Sequence, residues 1–249
     1  MEGPCALYDD PSMPLRTVIS LLLLVLPQLG IAQSCEPPTL VLEAPPEQVH
    51  GVLADQGKRV LTFLGYSGAE YQDKAAMLEV AVRVLEQFDS ATTVVNVGAT
   101  AVGIGAVYEL AKRRGFTTSG IVSTQAREHQ AALSPCVDLV FYVPDDTWGG
   151  LLPNTDVLSP TSAAIVQSSD VVVAIGGGEV ARDELIAASL AGKQVRYVPA
   201  DMNHQIARER ARKKGQPRPT DFRGAAADVN REPAGLILYF FVLINGLLQ

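Results

Sequence analysis

The residues of this chain best suited to chemistry are three glycine-rich clusters. They read Gly65-Tyr66-Ser67-Gly68, then Gly98-Ala99-Thr100 with Gly103 close behind, then Gly176-Gly177-Gly178. Glycine lets a phosphate come close to the backbone, and a helix that follows offers unpaired N–H groups and the positive end of its dipole. Such turns also serve simply to join a strand tightly to a helix. Three of them in register favour a site for a small anionic molecule, with contacts at Gly65, Ser67, Gly68, Gly98, Thr100 and Gly103. The third turn differs, because Glu179, Asp183 and Glu184 fall in the first two turns of the next helical stretch. Carboxylates there stabilise a helix by about 0.3–1 kcal/mol each, but they repel phosphate. They accept hydrogen bonds from sugar hydroxyls, or move protons. Phosphate is therefore expected at the first two turns, and a ribose or base near Glu179 and Glu184, with Gly176, Gly177 and Gly178 as ligand contacts at the third turn. Glu184 is the candidate acid or base, and Arg182 a candidate cation beside it.

Other polar groups are read more plainly. Asp201, Asn203 and His204 lie together, but no second cluster accompanies them. Asn203 is expected as a helix N-cap and ligand contact, and no metal and no cofactor is implied. Trp148-Gly149-Gly150 sits in a long loop, residues 144–158, expected as a lid or as cover for a sheet edge. Cys5, Cys35 and Cys136 show neither metal-site spacing nor a disulfide framework, and Cys136 is expected as a buried thiol. The net charge of −7 argues against a nucleic-acid partner. The basic run Arg208, Arg210, Arg212, Lys213 and Lys214 is expected as a solvated helix end, where positive charge suits the dipole.

These residues need elements to position them. Strands are expected at residues 58–65, 92–97, 116–123, 137–143, 170–175 and 194–198. Helical spacing covers residues 71–88, 103–114, 179–191 and 203–214, and Ser159-Pro160 reads as a helix start with Ser as N-cap. Strands alternating with helices predict an open, mainly parallel α/β sheet with helices on both faces. Nearly continuous apolar strands agree, since a parallel sheet is buried on both sides. In such a sheet a ligand binds beyond the carboxyl ends of the strands, where all three glycine turns fall.

The ends read differently. Arg16, the apolar run 18–26, and the small residues Ala32 and Ser34 before Cys35 have the layout of an export signal, with Met13 as its natural start. That predicts an exported protein, periplasmic or membrane-anchored. Cys35 is then either the first mature residue or a lipid-bearing membrane tether. If the signal reading fails, the protein is cytoplasmic. Residues 35–57 are Pro-rich and read as a tether, residues 58–215 as the domain, and residues 216–249 as an irregular extension ending in an apolar segment.

On the three turns, in their order and spacing over residues 58–200, the chain resembles the SLOG superfamily. These Rossmann-like proteins include the LOG phosphoribohydrolases, which often carry a lysine-decarboxylase label. The family signature P-G-G-x-G-T-x-x-E is similar to the third turn: Gly177 and Gly178 match its glycines and Glu184 its glutamate. Gly176 replaces the proline, and Val180 and Ala181 replace the Gly-Thr pair. Members that hydrolyse nucleoside monophosphates carry Arg-Lys nine residues before the aspartate of the next strand. Counting back from Asp170 finds Thr161 and Ser162. The resemblance implies a Rossmann-like, SLOG-type domain that binds a nucleotide or nucleoside derivative as sensor or carrier, and a homo-oligomer. Alternatives are an N-glycoside hydrolase using Glu184, and an exported interaction domain without a ligand.

Overall fold

A computed structural model describes residues 35–230. The signal segment and the apolar C-terminal segment lie outside the described residues. Seven parallel strands form one sheet in the order β1-β5-β4-β3-β2-β6-β7. They are β1 Leu40–Glu43, β2 Arg59–Gly65, β3 Thr93–Val97, β4 Thr117–Ser123, β5 Leu139–Val143, β6 Val171–Ile175 and β7 Gln194–Val198. The helices are α1 Pro46–Ala54, α2 Lys74–Leu85, α3 Ala106–Arg113, the single turn α4 Gln125–Glu128, α5 Pro160–Ser168, α6 Glu179–Leu190 and α7 His204–Lys213. The architecture is the open parallel α/β sheet expected, with helices on both faces.

Side-chain alternation along the strands divides the core. Leu61, Phe63, Val95, Val97 and Val173 face α2 and α3, packing on Met77, Leu85, Val107 and Tyr108. Val60, Leu64, Val94, Val172 and Ala174 face the other way, onto α1, α5 and α6 through Leu53, Ile165 and Leu185. On that second face a row of buried polar groups crosses the sheet. Ser119 Oγ donates to Asn96 Oδ1 (3.1 Å), Asn96 Nδ2 donates to Thr62 Oγ1 (3.2 Å), and Thr62 Oγ1 lies 2.6 Å from Ser169 Oγ. Because every member is paired, the row holds strand register without leaving a buried polar group unmet.

Two expectations are corrected at the N-terminal side. Residues 35–57 are not a tether: they form β1 and α1. Strand β1 pairs with β5 from Leu40↔Leu139 to Glu43↔Tyr142, and α1 buries Val49 and Leu53 against α5. The prolines that suggested a linker are start signals, Pro45 standing at the N-cap and Pro46 at the first helical position. Cys136 is not a free thiol. It forms a disulfide with Cys35, their Cα atoms 4.6 Å apart, just before the β1–β5 pairing begins. A sulfur in a disulfide cannot also carry a lipid thioether.

The site lies where the winding reverses. From β2 the chain passes through β3 and β4 to β5 toward one edge. It then returns to place β6 on the other side of β2 and continues outward to β7. The loops above β2 and β6 therefore leave in opposite directions and open a crevice between them.

Candidate functional site

A cavity of about 560 Å³ occupies this crevice. The turn after β2 contributes Gly65, Ser67 and Gly68, and the turn after β3 contributes Gly98 and Thr100. The N-cap of α6 contributes Gly178, and the helix itself Glu179 and Glu184. These eight of the sequence-predicted residues meet at one space. Ser123 and Ala126 after β4, Trp148 from the long loop and Arg210 from α7 line it too.

The remaining predicted residues do not line the crevice, for reasons of packing. Gly176 has φ +59° and packs on a tyrosine ring: a Cβ there would stand 2.6 Å from Tyr66 Cε2 and 2.7 Å from the Ala200 carbonyl oxygen. The Gly177 carbonyl accepts the Ala226 N–H at 3.1 Å. The third turn is thus covered by the described part of the C-terminal extension, whose 3₁₀ segment Ala225–Asn230 lies against α6. Tyr66 secures that cover by donating to the Arg223 carbonyl at 2.5 Å, and burial pushes its hydroxyl up to about 12. Gly103, at φ +62°, is used for close approach, because a Cβ would strike the carbonyl oxygens of Tyr66 and Ser67. Asn203 caps α7, its Oδ1 accepting from the N–H groups of Gln205 and Ile206 at 3.0 Å each. His204 stacks on Phe222, with ring centroids 3.9 Å apart.

Glu184 is the most perturbed carboxyl at the crevice. It is buried, and Oε1 accepts from Ser162 Oγ at 2.6 Å. Burial pushes its pKa from 4.5 up to about 8, the hydrogen bond from Ser162 opposing the rise and the neighbouring Asp183 adding to it. At neutral pH this carboxyl holds its proton. Arg182, expected as the cation beside it, is committed elsewhere: Nε and Nη2 both donate to Asp183 Oδ1, at 3.0 and 2.8 Å. Arg182 therefore neutralises Asp183 and does not reach the cavity.

The long loop is fastened over Glu184. Gly150 N–H donates to Ser162 Oγ at 2.7 Å, and Leu151 N–H donates to Asp183 Oδ2 at 3.2 Å. Its start is held by Asp145, which accepts from the N–H groups of Thr161 (2.9 Å) and Thr147 (2.8 Å). Burial alone would raise the Asp145 carboxyl, but these bonds outweigh it and lower the pKa. Trp148 is carried to the mouth of the crevice, its ring 5.6 Å from that of His129.

Arg210, which stands in sequence within a basic run that reads as a solvated helix end, reaches the crevice instead. Its Nη2 donates to the Gly68 carbonyl at 2.6 Å, across 142 residues of sequence. No local signal distinguishes it from Arg208 or Arg212.

No family model matches the chain, and no curated protein matches it. Among solved structures it is similar to a structural-genomics target designated TM1055, at 20% identity over 55% of this chain and 72% of that chain, with a TM-score of 0.40. It is also similar to the Moco carrier protein from Chlamydomonas reinhardtii. One structure of that protein aligns at 20% identity over 76% of this chain and 99% of that one, TM-score 0.42. Another, described as its molybdenum cofactor carrier protein, aligns at 23% identity over 56% and 76%, TM-score 0.41.

Proposed function

We propose that this chain is a SLOG-type domain that binds a nucleotide or nucleoside derivative in the crevice at the β2/β6 reversal, as a sensor or carrier. One observation carries the reading. Turns separated by more than 100 residues converge on a single cavity of about 560 Å³, within the usual range for small-molecule sites. The lining is mixed, with apolar walls and a few placed polar groups, as ligand pockets generally are. Trp148, the only tryptophan in the chain, lines the cavity and reports occupancy directly. Titration of its emission with nucleoside monophosphates, nucleosides and free bases is expected to saturate below millimolar ligand. Molybdenum cofactor, which the name of the Chlamydomonas carrier gives as its cargo, belongs in the same panel. Neither an emission change nor calorimetric heat with any of them at millimolar concentration would sink the proposal.

A second reading is hydrolysis of an N-glycosidic bond with Glu184 as general acid. It is favoured by a carboxyl that faces the cavity and keeps its proton at neutral pH, the state needed to protonate a departing base. Release of free base by the wild type and not by Glu184→Gln supports it; equal release by both dismisses it.

Export belongs to the same proposal. A disulfide forms and persists in oxidising compartments, and Cys35–Cys136 is one. N-terminal analysis of the cellular protein tests this: a mature chain beginning at Cys35 supports export, and an intact Met1 rules it out.

A further inference from the structure

We infer that Arg210 and Trp148 select a ligand carrying an anionic group and a flat ring, Arg210 gripping the anion and Trp148 covering the ring. The inference rests on the ligand-binding reading above and specifies the chemistry of that site.

Arg210 is placed differently from its basic neighbours in α7. Lys213 pairs with Glu209 at 3.0 Å, and Arg208 lies over the Phe222 ring at 5.3 Å. Arg210 instead reaches the crevice wall. Among the described residues no carboxylate lies within ion-pair distance of it. Its hydrogen bond to Gly68 fixes the guanidinium against the first glycine turn, beside Ser67. A guanidinium carries five N–H donors in a planar fork that matches phosphate or carboxylate oxygens, so one bond to a carbonyl leaves others for a ligand.

The α6 end of the cavity is the poorer place for an anion. Gly178 caps that helix without a side-chain hydrogen bond, but the Glu179 carboxyl lines the same space. A hydroxyl or ring N–H suits that carboxyl better.

Trp148 is 53% exposed, a large apolar side chain left at the mouth of a cavity. Val122, Ala126, Ala132 and Leu133 continue an apolar wall there. A flat ring laid on this surface buries indole area in the offset or edge geometry aromatic pairs prefer. Gly68 follows β2, while His129, beside Trp148, follows β4. Those strands are two spacings apart, roughly 10 Å. A lone anion does not bridge that separation, whereas a molecule with its anion and ring set apart does.

The test is calorimetric titration of the full chain with the four common nucleoside monophosphates, each against its own nucleoside. For at least one pair the wild type is expected to bind the monophosphate ten-fold or more tightly. Arg210→Gln should erase that preference and leave nucleoside affinity nearly unchanged, while Arg210→Lys should keep part of it. Trp148→Ala should weaken monophosphate and nucleoside by the same factor. Both side chains are exposed, so thermal unfolding of the variants should match the wild type. A monophosphate preference that survives Arg210→Gln overturns the inference. Equal wild-type binding of monophosphate and nucleoside overturns it while leaving the ligand-binding reading in place. No binding of any compound removes both.

Discussion

Ser162 Oγ donates a 2.6 Å hydrogen bond to Glu184 Oε1 and accepts the Gly150 N–H at 2.7 Å. One hydroxyl thus joins α5, α6 and the long loop around a buried carboxyl. Ser162 stands in the two-residue window, with Thr161, where the resembled hydrolases carry Arg-Lys. A neutral partner in place of a cation lets burial dominate, and the carboxyl keeps its proton to about pH 8.

The folded protein holds a proton on Glu184 that the unfolded chain releases above about 4.5. The stability tied to that proton is fully present below pH 4.5, declines as pH rises toward 8, and is lost above it. Glu184→Gln should remove this slope. The variant should match the wild type near pH 4.5 and exceed it at pH 8–9, as read from urea midpoints across pH. A wild-type profile whose Glu184-dependent part rises between pH 5 and 8 would contradict the buried, protonated state.

Ser162→Ala should raise the Glu184 pKa further, because the hydrogen bond from Ser162 is the influence that lowers it. It also leaves the Gly150 N–H without its acceptor, at a cost of about 1–3 kcal/mol. Carboxyl-carbon NMR reads the first effect and denaturant unfolding the second. A Glu184 midpoint that stays at about 8 or falls would show that the bond does not form.

Gly176→Ala places a Cβ against the Tyr66 ring at a φ of +59°. The left-handed backbone costs roughly 1–2 kcal/mol, and crowding adds about 1–3 kcal/mol. Unfolding should shift accordingly, and Gly178→Ala, where a Cβ meets open space, should shift it far less. Equal loss at both positions would refute the packing described for the third turn.

The Cys35–Cys136 disulfide closes a sequence separation of 101 residues. Restricting the unfolded chain over such a loop stabilises the fold by about 4.7 kcal/mol on chain-entropy grounds. Reduction, or Cys136→Ser, should lower the urea midpoint correspondingly and loosen β1 first, visible as faster amide exchange at residues 40–43. An unchanged midpoint under reductant would argue that the pair is not bonded in solution.

What the amino-acid sequence determined by itself was the parallel α/β core and most of its punctuation. Apolar runs, helical spacing, the Ser159-Pro160 start and the Asn203 cap are encoded within a few residues of where they act. Strand β7 was legible at both ends, and α5, α6 and α7 at their starts. Tertiary structure decided the rest. Strand β1 alternates exposed and partly buried residues and makes sense only beside β5, about a hundred positions away. Gly176 and Gly177 were legible as turn formers, but Tyr66 and the segment at Ala226 fill the space beside them. Arg210 became part of the crevice only because α7 packs its guanidinium against Gly68. Local pattern specifies which elements form, since it acts through nearby backbone and side-chain preferences. Which groups face one cavity depends on contacts between distant segments, and those exist only once the sheet has assembled.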